Sequence, residues 1–412
     1  MRRENSEINL LQSLNNHSHQ KVIQSFLHAA TTHMLPIAVW KLPEQVDFNI
    51  IIDLSGKPKN VKTNLEELDK GFLFSPFLKN SEHDNLFLEA DLHYSSKDHN
   101  ISFNNFNHSS PKEEDLECFL LSLEEFMETE GDMETPYFSS HQKLTTSSEK
   151  SEFIDLVNDA ISQIKEGSFE KVVVSRIKKT ELKEGFDLVR TFLNLSERYK
   201  TAFVSLVSIP ETGTWIGASP ETLIKVDANQ TFLTESLAGT QLFQENQQFS
   251  EVTWTQKEIE EQALVSRYII NCFKKIRLRE FEEIGPKTII AGNLMHLRTQ
   301  YKVDMNATGF PTLGTIMLDL LPPTSAVCGM PQQPALDFIL NHEKYNRSFY
   351  SGFLGPVNVD QETHIFVNLR CMQLINNLAV LYAGAGILEN SNPEKEWRET
   401  EIKCETLLNV IE

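Results

Sequence analysis

Cysteine, glycine and long apolar stretches are all scarce in this 412-residue sequence. Its five cysteines form no Cys-x-x-Cys pair, which argues against a disulfide framework and against a zinc cage built from cysteines. The longest apolar stretch, around Ala379–Leu388, is well short of the roughly 18 residues that a membrane-spanning helix needs. The N-terminus is charged and has no apolar segment behind it, so we expect no signal peptide and predict a cytoplasmic protein.

Positive charge is also in short supply. The 38 lysine and arginine residues face 58 aspartate and glutamate residues, for a formal net charge of −20 at pH 7. A protein of that charge repels nucleic acids and anionic membranes, so neither is expected as a partner. The same field should repel acidic small molecules unless a binding site supplies positive charge locally.

Glycine is unevenly distributed among the 17 positions that it occupies. Only three glycines precede residue 150, and the other fourteen lie between Gly167 and Gly386. Because glycine permits unusual backbone angles and close approach of the backbone to a ligand, we predict tight geometry in this second part. The polar stretch Asn80–Ser148 is predicted to consist of surface loops with a few short elements.

Hydrophobic periodicity becomes regular after residue 150. Apolar side chains from Phe153 to Ile164 recur at helical spacing, and this helix is predicted to end at Gly167. The other predicted elements are strands at Lys171–Ile177, Ala202–Ser208, Thr214–Val226, Ile365–Leu374 and Leu378–Ala383, a hairpin turn at Pro210–Gly213, and helices at Lys257–Ile276 and Glu394–Ile411. Strands joined by short turns, with helices outside, indicate an α+β fold with large, mixed but mainly antiparallel sheets flanked by helices.

Two pairs of glutamates have a spacing that suits metal binding. Glu258 and Glu261 are three residues apart on one predicted helix, and Glu396 and Glu399 are three apart on another. This spacing places both carboxylates of a pair on one helical face. Two such faces brought together would offer the hard oxygen ligands that Mg²⁺ prefers. The alternative is that each pair belongs to a solvated acidic face.

Lys171 and Glu221 are candidates for proton transfer. Lys171 opens a predicted strand of apolar character, where burial would favour the neutral amine that acts as a general base. Glu221 follows a proline beside a glycine-bearing bend, where a partly apolar setting would favour the protonated acid. The alternatives are a lysine that reaches solvent and an exposed glutamate in a turn.

Arg370, Gly384 and Gly386 are candidates for anion binding. Arg370 lies in the predicted strand Ile365–Leu374, where a guanidinium group needs either an internal acid or a bound carboxylate. The two glycines end an apolar strand, and backbone N–H groups exposed there can bind an anion. A strand-end bulge is the alternative for the glycines.

Taken together, these stretches resemble the chorismate-utilising enzymes, a family that includes isochorismate synthases, salicylate synthases and component I of anthranilate synthase. The resemblance runs in order from Glu149 to Glu412, which we assign as a chorismate-binding catalytic region over residues 146–412. Residues 1–145 match only as the variable N-terminal part of the same fold. The matching segments are KVVVSR (Lys171–Arg176), WIGASPETLI (Trp215–Ile224), TESLAGT (Thr234–Thr240), MHLRT (Met295–Thr299), LLPPTSAVCGMP (Leu320–Pro331), NHEKYNRSFYSGFLG (Asn341–Gly355), FVNLRC (Phe366–Cys371) and LYAGAGILENSNPEKEWRETEIK (Leu381–Lys403).

The resemblance implies a reaction. In family members that use water as the nucleophile, a lysine at the position of Lys171 deprotonates that water, and Glu221 would protonate the departing C4 hydroxyl of chorismate. Addition of the water at C2 would give isochorismate reversibly. Ammonia-using members differ at the positions of Lys171 and Ala238, so no glutamine amidotransferase subunit is expected.

The resemblance also implies the ligands. Mg²⁺ would be held by Glu261 and Glu399, with Glu258 and Glu396 in support, and would take one carboxylate of chorismate. The rest of the substrate would meet residues at the family's substrate positions, which are Ala238, Gly239, Thr240, His296, Tyr350, Arg370, Gly384, Gly386 and Lys403. Three departures put the fine positioning in doubt, namely Gln262 and Pro322 where the family has histidines, and RSFYSG (Arg347–Gly352) in place of RGxYAG.

Two other functions stay open. Salicylate synthases share the base, the acid and the metal ligands, and they go on to eliminate pyruvate from the same intermediate. A non-catalytic protein that only binds chorismate or a metal would keep the carboxylates and dispense with the base or the acid. Both Lys171 and Glu221 are present here.

Overall fold

The computed structural model describes residue 11 and residues 13–411, apart from 80–84, 105–110, 132–133, 141–148, 243–251 and 292–293. Within those residues the chain forms two large sheets, one of ten strands and one of nine, in which neighbouring strands are antiparallel. Helices cover the outer faces of the sheets. The α+β architecture with large, mainly antiparallel sheets is therefore confirmed.

The ten-stranded sheet combines strands from both parts of the chain. From one edge to the other it contains β15 (Gly329–Met330), β8 (Lys171–Glu181), β19 (Leu378–Ile387), β18 (Cys371–Ile375), β10 (Gly213–Ser219), β9 (Phe203–Ile209), β1 (Ile37–Lys41), β2 (Asn49–Ile52), β6 (Leu92–Ser95) and β7 (Asn100–Phe103).

The nine-stranded sheet also combines strands from both parts of the chain. Its order is β13 (Glu282–Ala291), β14 (Leu294–Asp304), β12 (Thr231–Leu242), β11 (Thr222–Val226), β17 (Thr363–Val367), β16 (Phe353–Val357), β4 (Gly71–Ser75), β5 (Asn85–Glu89) and β3 (Lys59–Val61). Strands that precede residue 104 thus enter both sheets. The boundary between residues 145 and 146 stays a prediction.

Aromatic side chains fill the space between the two sheets. Phe203 of β9 stacks on Phe366 of β17 with ring centroids 4.1 Å apart, which joins one sheet to the other. Trp40 and Trp215 are fully or almost fully buried in the same cluster. Burying side chains of this size supplies much of the apolar area that stabilises the packed sheets.

Helices enclose two further cores on the outer faces. One core lies between the ten-stranded sheet and the helices that include the C-terminal one, and the other lies between the nine-stranded sheet and the helix that carries Glu261. The helices are α1 (His19–Thr32), α2 (Pro111–Glu128), α3 (Lys150–Lys165), α4 (Leu188–Arg198), α5 (Gln256–Lys275), α6 (Met305–Thr308), α7 (Leu313–Leu320), α8 (Gln332–His342) and α9 (Pro393–Ile411). No helix in the described part of the chain is long and apolar enough to cross a membrane.

Most of the elements predicted after residue 150 are confirmed. The helices α3, α5 and α9 begin and end within three residues of their predicted bounds. The hairpin of β9 and β10 forms at the predicted turn, with Ile209 paired to Gly213. The strand that contains Gly384 and Gly386 extends to Ile387, beyond its predicted end at Ala383.

Two runs that were each predicted as one strand form two strands in the structure, one in each sheet. The run Thr214–Val226 breaks at Pro220 and Glu221, so that β10 lies in the ten-stranded sheet and β11 in the nine-stranded one. The run Ile365–Leu374 breaks in the same way between β17 and β18. Arg370 lies in that break with φ of 47°, so its predicted place inside a strand is wrong. Polar residues occupy both breaks, yet Glu221, Asn368 and Arg370 are buried because each run stays inside the molecule while it changes sheets.

The prediction of surface loops over Asn80–Ser148 is also wrong in part. The described residues of this stretch include β5, β6, β7 and the 18-residue helix α2. Leu88, Tyr94 and Phe119 are almost fully buried. The stretch is rich in polar residues, yet its strands and helix α2 bury apolar side chains. Residues 80–84, 105–110, 132–133 and 141–148 lie outside the described residues.

Candidate active site

A cavity of about 80 Å³ opens where β8 and β19 of one sheet approach β12 and β14 of the other. Helices α5 and α9 each contribute a glutamate to its wall. Glu221, Glu261 and Glu399 line this cavity. All the predicted substrate residues line it as well, namely Ala238, Gly239, Thr240, His296, Tyr350, Arg370, Gly384, Gly386 and Lys403. Its lining combines apolar side chains with a few convergent polar and charged groups, as small-molecule sites do.

The two strand breaks place Glu221 and Arg370 side by side in the fold. β10 pairs with β18 in one sheet, and β11 pairs with β17 in the other, so the two connecting segments cross between the sheets together. The amide of Val367 donates to the carbonyl of Glu221 at 3.0 Å, and the amide of Ala218 donates to the carbonyl of Arg370 at 3.1 Å. These bonds fix both backbones at the cavity.

Glu221 is a buried carboxyl that favours its protonated form. Its side chain is 5% exposed, and its carboxyl has no hydrogen-bond partner among the described residues. Burial, reinforced by the charge of Glu235, raises the pKa of Glu221 to about 8, against the opposing effect of Lys171 and Lys403. A carboxyl group with this pKa holds its proton at neutral pH and can release it to a substrate.

Lys171 is fully buried at the first position of β8. Its Nζ lies 3.1 Å from Glu261 Oε1, but it makes no well-aligned hydrogen bond within the described part of the chain. An amine group without such partners is costly to bury. Lys171 does not line the cavity itself, but it contacts Glu261, which does. The alternative interpretation of the sequence, in which Lys171 reaches solvent, is therefore wrong.

Gly386 makes room for this lysine. A Cβ atom on Gly386 would lie 2.4 Å from Glu261 Oε1 and 3.1 Å from Lys171 Cε. The two side chains therefore cross the backbone of β19 where only glycine leaves space for them. Gly384 plays the same part for Tyr350, whose hydroxyl would lie 2.9 Å from an added Cβ.

The amides of Gly384 and Gly386 face the cavity side of β19. Their partners on β8 are Ser175 and Val173, whose own amides donate away from β19, to Glu343 Oε1 and to the carbonyl of Cys328. In an antiparallel pair, the N–H groups of two directly opposite residues either both point towards the other strand or both point away from it. The amides of both glycines therefore point away from β8. β18 pairs with β19 only as far as Leu381, which leaves these amides available to an anion.

Arg370 adds a buried guanidinium group to the same wall. Its Nη1 donates to Thr406 Oγ1 at 3.3 Å, which leaves most of its five N–H donors for a ligand. Burial lowers the pKa of Arg370, and Glu399 opposes that effect. Such a group binds a carboxylate bidentately. Lys403 lies nearby and donates to the carbonyl of Gly384 at 2.8 Å.

His296 is a neutral hydrogen-bond acceptor. Its Nδ1 lies 2.8 Å from the carbonyl of Gly239, and because a carbonyl only accepts, Nδ1 carries the proton. Burial and the charge of Arg370 lower the pKa of His296 to about 3, so Nε2 keeps its lone pair and has no partner in the described chain. Gly239 itself has φ of +72° at an irregularity in the pairing of β12 with β14, between Ala238 and Gln241.

Three of the four glutamates predicted to bind metal are close together, and each is paired with a lysine. Glu261 pairs with Lys171 at 3.1 Å. Glu399 accepts from Lys403 at 2.6 Å. Glu396, which is 1% exposed, accepts from Lys257 at 2.6 Å. Burial alone would lower the pKa of Lys257, but the charges of Glu396, Glu399 and Glu261 together raise it.

Glu258 caps helix α5. Its Oε2 accepts from the backbone amide of Thr255 at 2.7 Å and forms the capping box of that helix. Its place among the metal ligands stays a prediction. No three acidic, histidine or cysteine side chains within the described ranges are arranged as a metal site.

The donor set nevertheless suits a magnesium ion. The carboxylates of Glu261, Glu396 and Glu399 are hard oxygen ligands, and all three raise the pKa of Lys257 through their negative charge. Glu396 Oε2 is buried without a hydrogen-bond partner, which leaves one ligand atom uncommitted.

Two contributors to the site were missed by the sequence reasoning. Lys257 precedes Glu258 in KEIEEQ, and Glu235 lies in TESLAGT, so both belong to sequence segments that contain predicted site residues. Their roles depend on which strand or helix lies opposite. Gln262 lies outside the cavity, where its Nε2 donates to Ser236 Oγ at 2.7 Å between α5 and β12.

Comparison with known proteins gives a consistent result. The sequence profile of the family described as chorismate binding enzyme matches residues 71–412, which is more than half of the chain. EntC of Escherichia coli (strain K12), named isochorismate synthase, is 27% identical over 268 residues, covering 64% of this chain and 68% of that protein. MenF of Bacillus subtilis (strain 168), also named isochorismate synthase, is 26% identical over 309 residues, covering 72% of this chain and 64% of that protein.

The fold is shared with a solved structure. The menaquinone-specific isochorismate synthase MenF from Escherichia coli superposes with a TM-score of 0.74, at 21% identity, over 96% of this chain and 92% of that one.

Proposed function

The chain belongs to the chorismate binding enzyme family, and we propose that it is an isochorismate synthase, which converts chorismate reversibly into isochorismate. The proposal depends mainly on one observation. The buried carboxyl group of Glu221 lines a cavity that also holds Arg370, and the buried amine of Lys171 lies 3.1 Å from Glu261 of the same lining. Neither Lys171 nor Glu221 makes a well-aligned side-chain hydrogen bond within the described residues.

The reaction needs both an acid and a base. Water is a weak nucleophile and hydroxide a poor leaving group, so one proton must be removed from the attacking water and one given to the departing hydroxyl. In the proposed mechanism Lys171 takes the first proton and Glu221 gives the second. Lys171 enters from β8 of the ten-stranded sheet, whereas Glu221 immediately precedes β11 of the nine-stranded sheet, so the two groups reach the substrate from different walls.

The substrate is a dianion, and the cavity offers two places for its carboxylates. Arg370, with the amides of Gly384 and Gly386, would bind one of them, and the hydroxyl of Tyr350 would add a donor. His296 Nε2 would accept from a substrate hydroxyl, because it is an unprotonated nitrogen at the cavity wall. Ala238, Gly239 and Thr240 would bound the ring from β12.

We further propose that Glu261, Glu396 and Glu399 hold Mg²⁺ and that Glu258 acts only through the cap of α5. Bound there, Mg²⁺ would neutralise the carboxylates and bind the second carboxylate of the substrate. We propose no amidotransferase partner, since water and not ammonia is the nucleophile.

The test is to incubate the purified protein with chorismate and Mg²⁺ and to identify the products by NMR. Isochorismate at an equilibrium ratio with chorismate is the expected result. Salicylate with an equal amount of pyruvate would replace the proposal by salicylate synthase activity. Unchanged chorismate, with binding detected by calorimetry, would leave a binding protein. Ammonium should yield no anthranilate.

Replacing Lys257 by methionine should change how the protein responds to Mg²⁺. Loss of the ammonium leaves Glu396 buried without its partner, so the melting temperature of the metal-free variant is expected to fall by about 5–10 °C. Added Mg²⁺ should restore more stability to the variant than to the wild type, because it supplies the missing positive charge. Thermal unfolding with and without Mg²⁺, in the absence of chorismate, measures both effects.

Lys150→Met is the matched control. Lys150 pairs with Glu394 of the same helix α9 at 2.7 Å, but both side chains are about half exposed. Exposed pairs contribute little, so this variant should behave as the wild type does. An equal response of the two variants to Mg²⁺ would contradict the assignment of Glu396 to the metal site.

A further inference from the structure

A second buried carboxyl group lies next to Glu221. Glu235 belongs to β12, the strand that pairs with β11, and it is 8% exposed. Its Oε1 accepts from the backbone amide of Thr222 at 3.2 Å, and Thr222 is the residue that follows Glu221. The two carboxyl groups are therefore held close together by the backbone at the start of β11.

Hydrogen-bond donors are shared unequally between these two carboxyl groups. Besides Thr222, Glu235 Oε2 accepts from Gln300 Nε2 at 3.3 Å and lies 4.0 Å from Arg298 Nε. Glu221 has no comparable donor among the described residues. Donors and a nearby cation stabilise a carboxylate, whereas two carboxylates placed close together disfavour double ionisation. When only one of the two is ionised, it is Glu235.

We propose that Glu235 is a positioning residue that keeps the proton on Glu221, by holding a negative charge beside it and by fixing the backbone at Thr222. This inference rests on the proposed role of Glu221 as the acid. Within the TESLAGT stretch it assigns to Glu235 a function that does not involve contact with the substrate, because Glu235 does not line the cavity.

Other charges act on Glu221 from the surrounding elements. Lys171 of β8 and Lys403 of α9 favour its ionised form, and burial and Glu235 outweigh them to give a pKa of about 8. Burial also raises the pKa of Glu235, but Arg298 and the hydrogen bonds from Thr222 and Gln300 oppose that rise. The remaining charged or titratable groups at the cavity are His296, Arg370, Tyr350, Tyr382, Glu261 and Glu399.

Glu235→Gln tests the proposal, because it keeps an oxygen acceptor for the amide of Thr222 and removes the charge. The titration of Glu221 is followed by ¹³C NMR on protein labelled at the glutamate carboxyl carbon, with Glu221→Gln identifying the resonance. In the wild type the midpoint should lie near pH 8. In Glu235→Gln it should fall by about one unit or more, as the removal of a close like charge predicts. The alkaline limb of the pH profile of kcat/KM should move by the same amount.

Two further variants make the result decisive. Glu235→Thr also removes the charge and suits a strand, so whichever of the two variants keeps the wild-type circular dichroism spectrum supplies the measurement. Glu362→Gln removes a partly exposed negative charge that pairs with Lys225 and His364, and it should leave the midpoint unchanged. An unmoved midpoint in the folded Glu235 variant, or an equal shift in Glu362→Gln, overturns the proposal. The NMR titration needs no substrate. If the midpoint shifts in the Glu235 variant but the wild type does not turn over chorismate, the proposed function is refuted and the effect of Glu235 on the proton of Glu221 still stands.

Discussion

Replacing Lys171 by methionine should lower kcat by about a thousandfold or more while the protein stays folded. General base catalysis contributes about 10²–10⁴ to a rate, and no second amine has its Nζ buried without a well-aligned hydrogen bond among the described lysines. Methionine keeps most of the volume of the lysine, so the packing of β8 against β19 should survive. The measurement is the initial rate of chorismate consumption at saturating Mg²⁺.

Lys178→Met is the matched control for Lys171. Lys178 lies on the same strand, but its side chain is partly exposed and donates to Glu401 at 2.8 Å. This variant should turn over chorismate at the wild-type rate. A Lys171→Met protein that retains more than about a tenth of the wild-type kcat would rule out Lys171 as the base, since a base contributes at least about a hundredfold.

Replacing Glu221 by glutamine should also lower kcat by about a thousandfold, and it should make the protein more stable. The amide cannot donate a proton to the leaving hydroxyl, and loss of an acid costs as much as loss of a base. The folded-state pKa of Glu221 is about 8, above the ordinary value of 4.5. Such a group destabilises the folded state increasingly as the pH rises from 4.5 towards 8, because the unfolded chain ionises first.

The gain in stability should therefore depend on pH in a defined direction. Near pH 4.5 the wild type and Glu221→Gln should unfold at the same urea concentration. At pH 7 the variant should have a free energy of unfolding higher by about 1–3 kcal/mol. The control Glu211→Gln changes an exposed turn residue and should alter neither the rate nor the stability. A variant that is less stable than the wild type at pH 7 would contradict the raised pKa of Glu221.

Local patterns in the sequence predict the elements well and identify most residues of the cavity. Helical spacing locates α3, α5 and α9, and the run of β-branched residues after Lys171 locates β8, because these signals depend only on neighbouring residues. The resemblance to chorismate-utilising enzymes supplied the membership of the site, and every predicted substrate residue lines one cavity.

The strand breaks are hidden in the sequence for a physical reason. Glu221 and Arg370 stay buried where their chain segments pass from one sheet to the other, so apolar strand residues continue on both sides of each short polar break. The partners of the glutamates are equally hidden, since Lys257 meets Glu396 across two helices. The role of Glu258 had a readable signal, because Thr255 precedes it by the three residues of a capping box.

The paired crossings of the strands have a consequence for how the enzyme acquires activity. Glu221 and Arg370 each lie on a segment anchored in both sheets, and their partner strands are distant in the sequence. Neither side chain can be held at the cavity until both sheets have formed, and contacts of such long sequence separation form slowly. After dilution from urea, the recovery of chorismate turnover should therefore follow the recovery of helical circular dichroism and coincide with the burial of Trp215. Catalysis in this fold reports on completed folding of the chain, not on the formation of any one part.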